Sequence, residues 1–576
     1  MKSITKFLVS VSLCFSISNL MALDCEYFKY FINYAEKNHY NNLNNNNKFD
    51  NLKLGFKLLV NNVDAYHLFF PPQQVETWVD SISSQDFKEA LDQSCSVVEE
   101  LIADLNDAKE KTKLDFEKLI DRFSSRSDVF PYYQIMKDKF EKNQEIKEDW
   151  QLYREYKMLE VWNEILNKNN SEKISYEDMK SEGQLLFMKI INKDTHLPGW
   201  FFDTYLTYFL LLSDPHSSFL VQYRAEESKE SENYTNSKFG ISPIDPMDVT
   251  GVIHSGVEST SGKKYNIGVL KIKHFTNSQD EKNCTSFKVR EALSILNDSV
   301  DSLVVDLRNN SGGDISENLK IINYFLTTPT TVMLEKTHCD KDVELINCSK
   351  KEVGTVYNGL FNKPMVILIN DKTISSAEDF AATMQDLGRG LVVGGLSYGK
   401  GVGQSVLDIN FNRIILNKKF NSLEEEENYR KKYTYDAIGG ILVLTTLKTF
   451  RFSGKSIQNL GVSPDIEIPM SNFQNYDREE DARVKFEDET VDPLDPSEYT
   501  RYSIVDDYIS DVKSRFDSRK ENNDLNILTL SRLVNYDKTS VMYFWKESDE
   551  EKITDTILKV ATSIAADYVD SINKKD

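Results

Sequence analysis

The sequence predicts a mixed α/β protein: a helical N-terminal region, an α/β core and a helical C-terminal tail. Between 303 and 394, short apolar runs alternate with amphipathic stretches in the order β-α-β-α-β, which fits a right-handed crossover core. Before 215, apolar residues recur at helical spacing over long windows, and the same period returns at Thr554–Ile572. A chain of 576 residues has room for two or three domains.

The first residues, MKSITKFLVSVSLCFSISNLMA, place Lys2 and Lys6 ahead of an apolar run from Phe7 and end on the small Ala22. This is the layout of a signal peptide over 1–22. Leu13 and Asp24 precede Cys14 and Cys25, which gives neither cysteine a lipoprotein context. No later stretch has the apolar length of a spanning helix, so the expectation is an exported protein without a membrane span. The formal charge is −22, and removing Lys2 and Lys6 takes it to −24. Such acidity argues against nucleic-acid or anionic-membrane partners. Five cysteines remain, at 25, 95, 284, 339 and 348. In an oxidising compartment Cys339–Cys348 is a plausible local bridge and Cys25–Cys95 a plausible tie across the helical region, with Cys284 left over; the other reading is reduced, buried thiols. No Cys or His spacing suggests a metal site.

Helices are expected at Glu26–Lys37, 75–110, 112–123 and 149–168, with Trp78, Trp150 and Trp162 as core and a polar loop at Asn41–Asn47. The core then runs through a helix near Phe287–Leu296, a strand at Leu303–Leu307, the turn Arg308–Gly313 and a helix at Ile315–Leu326. The chemistry concentrates in Met365–Gln404. An apolar strand ends at Asn370, a helix runs from Ser376 to Leu387 with Gly388 as its C-cap, and a strand at Leu391–Gly394 leads into a Gly-rich turn carrying Lys400. A hydroxyl at a helix N-terminus lies beside unpaired N–H groups that favour a developing oxyanion. Lysine can serve as its base where burial keeps the amine neutral. Parallel strands bring both loops to one sheet edge, where Ser375 and Lys400 can meet and Gln404 can hold the amine. Gly394–Lys400 is a near match to a phosphate-binding loop, but Gly401 stands where that motif needs a hydroxyl.

This stretch resembles the C-terminal processing (tail-specific) serine proteases, Ser-Lys peptidases with a ClpP/crotonase-like core. Their S-x-x-E, followed by a lysine 25 residues after the serine and a glutamine four further on, is matched by Ser375, Glu378, Lys400 and Gln404. The spacing selects Ser375 as nucleophile over Ser376, although this chain has Ser-Ser-Ala-Glu where the family commonly has Ser-Ala-Ser-Glu. Asp386 matches a functionally important family aspartate or is an ordinary helix-end residue. DLRNNSGG (306–313) matches the family's D-L-R-x-N-x-G-G, which assigns the oxyanion site to the amides of Gly312, with Gly313 as alternate, and Ser376. Glu378 and Asp386 are supporting residues. LLSDPHSSFL (211–220) resembles a structural family segment, which makes His216 a turn residue rather than a base.

One departure stands out. Only 46 residues separate Leu220 from Ile267, too few for the family's PDZ domain, although Phe239–Ile241 resembles its opening. The expected organisation is a signal peptide (1–22), a helical domain (23–215) and a linker replacing or reducing the PDZ domain (216–266). A Ser-Lys core (267–470) with a charged insertion at Asn410–Tyr433 follows, and then an acidic, helical extension (471–576). The resemblance implies an exported, periplasmic serine endopeptidase that cleaves unfolded or C-terminal segments of envelope proteins without metal or cofactor. Its partners would be protein or peptide substrates, with an adaptor protein as a further candidate. The competing expectation is a non-catalytic or partner-activated peptide-binding or adaptor protein on the same scaffold.

Overall fold

The computed structural model describes residues 25–575 except 41–42, 44–46, 143–148, 169–174, 192–197, 224–248, 338–348, 355–358, 411–436, 469–477, 483–484, 503 and 522–546. The expected signal peptide, the Phe239–Ile241 match, Cys339 and Cys348, and nearly all of the charged insertion lie outside the described residues. The chain forms two compact units, one of residues 1–226 with 406–444 and one of residues 227–405 with 445–576. Residues 406–444, expected within the core, therefore cluster with the helical unit, and 471–576 cluster with the core.

The first unit contains α1 (Cys25–Asn38), α2 (Lys48–Val63), α3 (Pro72–Ser81), α4 (Phe87–Ile120), α5 (Arg126–Lys142), α6 (Trp150–Lys168), α7 (Tyr176–Ile191) and α8 (Pro198–Ser213). Strand β1 (Ser218–Tyr223) pairs antiparallel with Ala437–Val443, which is why the returning segment groups here. The 75–110 periodicity is interrupted after Ser81. Asp86 then caps a new helix by accepting the Glu89 N–H at 2.9 Å, and that helix runs on through the expected 112–123 segment as far as Ile120. Phe28 stacks on Tyr205 at 4.8 Å, and with Phe31, Phe56 and Phe209 they form a fully buried aromatic centre. Trp78 and Trp162 belong to that core, whereas Trp150 is half-buried beside Arg154. A disulfide joins Cys25 to Cys95 across 70 residues of chain, which restricts the unfolded ensemble.

The Ser213–Ser217 turn is anchored by a buried carboxylate. Asp214 accepts from His39 Nε2 (3.1 Å), the Ser217 hydroxyl (2.5 Å) and the His216 N–H (2.8 Å), while Leu43 N–H donates to His39 Nδ1 (3.2 Å). His216 is thus held through its backbone in this turn.

The second unit is built on a six-stranded sheet in the order β11-β8-β7-β4-β3-β2. Its strands are β2 (Val249–Glu258), β3 (Lys264–Ile272), β4 (Ser302–Asp306), β7 (Met365–Ile369), β8 (Leu391–Gly394) and β11 (Ile466–Glu467). β3, β4, β7, β8 and β11 run parallel, and β2 adds antiparallel to β3. Every residue of β4 and β7 is buried because both faces are covered. Leu303, Val305, Met365 and Ile367 face α9 (Thr285–Leu296), α10 (Ile315–Asn323) and α11 (Ser376–Asp386). The alternate residues Val304, Val366 and Leu368 face α12 (Ile509–Glu521) and α13 (Glu547–Lys575). Period-two alternation thus sends neighbouring residues into two separate cores. The tail is one of the two helical layers. Buried Asp570 reinforces it by accepting from Arg515 (2.7 Å) and the Tyr265 hydroxyl (3.0 Å). β5 (Thr330–Thr337) pairs with β6 (Ser349–Gly354) and with Leu447–Phe450 of β10 (Ala437–Phe450), and β9 (Val402–Asn410) also pairs with β10.

Burial raises the Asp214 carboxyl, but His39, His216 and Ser217 outweigh it and hold it at about 2. Its folded value is depressed, so its contribution is present above the ordinary carboxylate range and is lost as pH falls toward 2. Asp214→Asn is expected to lower stability by about 2–4 kcal/mol at neutral pH. The gap from wild type should shrink in thermal melts as the pH is taken below about 4.

Candidate active site

Three loops leave the C-terminal ends of β4, β7 and β8 and bond to one another. Leu307 N–H donates to Leu368 O (2.9 Å), the Thr373 hydroxyl to Leu307 O (3.0 Å), and Tyr398 N–H to Thr373 O (3.1 Å). Parallel strands make this meeting possible, because all three end at one sheet edge.

The first loop begins with Arg308, buried and paired with Asp306 through Nε–Oδ1 (2.8 Å) and Nη2–Oδ2 (2.7 Å). Asn310, also buried, donates to Ile272 O (3.0 Å) and accepts the Gly312 N–H (2.8 Å). The Gly312 amide assigned to the oxyanion site is therefore engaged by the Asn310 side chain. Gly312 and Gly313 have φ of +91° and +137°. A Cβ at Gly312 would stand 2.8 Å from Ser375 Cβ, and one at Gly313 would stand 2.3 Å from Phe275 O. Glycine is required at both for backbone approach as well as for φ. Gly313 is flanked by a bridge to Phe275, made by the Gly312 carbonyl and the Asp314 amide, and its own carbonyl accepts the Ser376 hydroxyl at 2.8 Å.

The second loop delivers Ser375 to the N-cap of α11 at φ +58°, ψ −126°. A non-glycine residue held there stores on the order of 1–3 kcal/mol of strain. Glu378 offsets it by accepting the Ser375 N–H at 2.9 Å. Ser376 occupies the first helical position, where its N–H has no intrahelical acceptor. Its side chain is turned to Gly313 rather than outward, which separates the roles of the two serines.

The third loop carries Lys400. Its half-buried amine donates to Gln404 Oε1 at 2.7 Å, and Gln404 Nε2 donates to the Thr445 hydroxyl at 3.0 Å. The loop backbone is held from several sides. Glu378 Oε1 accepts the Ser397 hydroxyl (2.5 Å) and Gly399 N–H (2.7 Å), and Oε2 accepts the Lys400 N–H (2.8 Å). Gln458 Oε1 accepts the Gly401 N–H (2.8 Å), and buried Glu479 in turn accepts from Gln458 Nε2 (2.6 Å). Arg478 donates to Ser397 O (3.2 Å). Burial pushes the Glu378 carboxyl up to about 8, while Ser397 and the three amides pull the other way. Amides can only donate, so this donor set favours the carboxylate.

Asp386 closes the far end of α11. It pairs with Arg451 and accepts the Phe452 N–H at 3.2 Å, which ties the helix to the chain after β10. Ser397, Thr445, Gln458, Arg478 and Glu479 were not found from the sequence. Their partners are distant along the chain, and nothing in their local pattern marks them. Only the glycine at 399, with φ +103°, signalled that the backbone there is specially placed.

A serine at a strained helix mouth, a lysine held by an amide oxygen and a glycine turn against the serine are thus assembled at one sheet edge. Residues 266–468 match the family model Peptidase family S41, which marks this α/β stretch as an S41 domain. The chain is similar to the tail-specific protease of Haemophilus influenzae, 30% identical over 214 residues that cover 37% of this chain and 26% of the relative. It is also similar to a probable CtpA-like serine protease of Staphylococcus aureus, 27% identical over 215 residues covering 37% and 35%. It thus spans about a quarter to a third of these relatives' lengths. Among solved structures, the photosystem II D1 C-terminal processing protease aligns at 17% identity and a TM-score of 0.31, covering 54% of this chain and 93% of that one. Mature CPAF aligns at 17% and 0.28, covering 49% and 58%.

Glu378→Gln places an NH₂ group against donors on one side of the side chain. The expected result is a melting temperature lower by about 2–4 °C, the shift that ~1 kcal/mol produces in a domain of about 150–250 residues. Loss of the Ser375 and Lys400 geometry should follow, read as at least a hundredfold loss of peptide cleavage, the scale of a misplaced reacting group.

Proposed function

We propose that the protein is an exported serine endopeptidase that hydrolyses peptide bonds in unfolded or C-terminal segments of envelope proteins. The observation that carries this reading is the Lys400 amine, half-buried and fixed on Gln404 at 2.7 Å, in a loop that shares the Glu378 carboxylate with Ser375. In its neutral form Lys400 takes the proton from the Ser375 hydroxyl. The alkoxide attacks the substrate carbonyl, and the oxyanion is received by the Ser376 and Gly313 amides. The Gly312 amide joins them where Asn310 Oδ1 gives it up. Lys400 then protonates the leaving amine, and water deacylates Ser375. Asp386 keeps α11 in register with Arg451.

Export is supported by the charged-then-apolar N-terminus and by the Cys25–Cys95 disulfide. No helix among the described residues is long and apolar enough to cross a membrane. The engaged Gly312 amide favours a second reading, partner activation, in which an adaptor or the substrate itself turns Asn310 aside.

The test is to incubate wild type, Ser375→Ala and Lys400→Ala with a disordered protein and map the products by mass. Wild type should produce fragments, and each variant should lose at least about a thousandfold in rate, as expected for removal of a nucleophile or its base. Equal digestion by Ser375→Ala would sink the proposal. Digestion by wild type only after a second protein is added would favour the partner-activated form.

A further inference from the structure

Asp379 has no part in the chemistry just described, yet it is built into the same corner. It lies one helical turn beyond Ser375, so the two share a face of α11, and its N–H donates to Ser375 O at 3.0 Å. Its Oδ1 accepts the Thr449 hydroxyl at 2.9 Å, and the Thr449 N–H donates to Gly401 O at 2.8 Å, next to Lys400. That link sets the carboxylate against the backbone beside Lys400, so Lys400 and Glu335 of β5 are the charges that act on its ionisation.

We propose that Asp379 is a positioning residue that acts as a brake on the dyad: its negative charge holds Lys400 as the ammonium ion and delays proton abstraction from Ser375. The proposal rests on the Ser-Lys reading above. The groups around Asp379 are Ser375, Glu378 and Thr383 on its own helix, Glu335 on β5, Thr449 on β10 and Lys400 in the loop. Lys448 donates instead to Glu487 O (2.9 Å). The Arg451–Asp386 pair borders the same narrow cavity as Asp379. Burial pushes Asp379 up to about 7; Thr449 and Lys400 oppose the rise and Glu335 adds to it. Asp379 therefore ionises as pH rises through neutrality, and from there its charge raises the pH at which Lys400 can lose its proton. Two sites this closely placed titrate as a pair.

The experiment is competitive acylation of lysines with acetic anhydride on the full chain across a pH series, with the Lys400 peptide read by mass spectrometry. Asp379→Asn should lower the Lys400 labelling midpoint by about one pH unit, the scale set by removing a nearby opposite charge. Asp379→Ala, a second variant, should move it the same way, and Asp379→Glu should stay close to wild type. The rising limb of kcat/KM against pH should move with the midpoint while KM holds. Midpoints in Asp379→Asn and Asp379→Ala that coincide with wild type would overturn the inference. The Ser-Lys reading fails by a different result, the absence of Ser375-dependent cleavage, and the labelling midpoint is read independently of it.

Discussion

One carboxylate organises the site. Glu378 is fully buried, and its two oxygens gather the Ser375 amide from the second loop and the Ser397, Gly399 and Lys400 donors from the third. Burying a carboxylate is costly unless donors replace its water. Here the replacement donors include the backbone amides of Ser375 and Lys400 themselves. The cost of burial and the placement of Ser375 and Lys400 are thus one problem with one solution, which lets strain persist at Ser375.

The sheet supplies the frame. Parallel strands β4, β7 and β8 end together, and every residue of β4 and β7 is buried because helices cover both faces. The helices of 509–521 and 547–575 belong to that arrangement, since their apolar faces meet the side of the sheet opposite α11. A rigid strand edge is what keeps loop-borne groups at fixed separations. The chemistry at one end therefore depends on a layer contributed from the far end of the chain.

Electrostatically, the site sets one acidic group against another. Glu378 faces amides and holds backbone, whereas its neighbour Asp379 faces a hydroxyl, a lysine and another acid. Adjacent residues on a helix point about 100° apart, so two successive carboxyls enter different environments. Asp386, seven residues further along the helix from Asp379, pairs with Arg451 at the helix end.

The sequence by itself determined the strand–helix step at β4 and α10 and the β7-α11-β8 succession, the N-cap position of Ser375, the lysine and glutamine beyond β8, and the glycine turn after β4. These are local signals: apolar periodicity, capping residues and glycine where φ is positive. It also pointed to Cys25 and Cys95 as a pair. It missed β5 and β6, which lie between α10 and β7. Tertiary structure alone decided that the Gly312 amide bonds Asn310, that Gln458 and Glu479 brace Gly401, and that residues 406–444 join the helical unit while the tail joins the core. Those outcomes depend on groups brought together from tens of residues away or on which of several nearby acceptors an amide selects. No local period or composition encodes them, because they are settled only when the packed chain has to satisfy every buried donor.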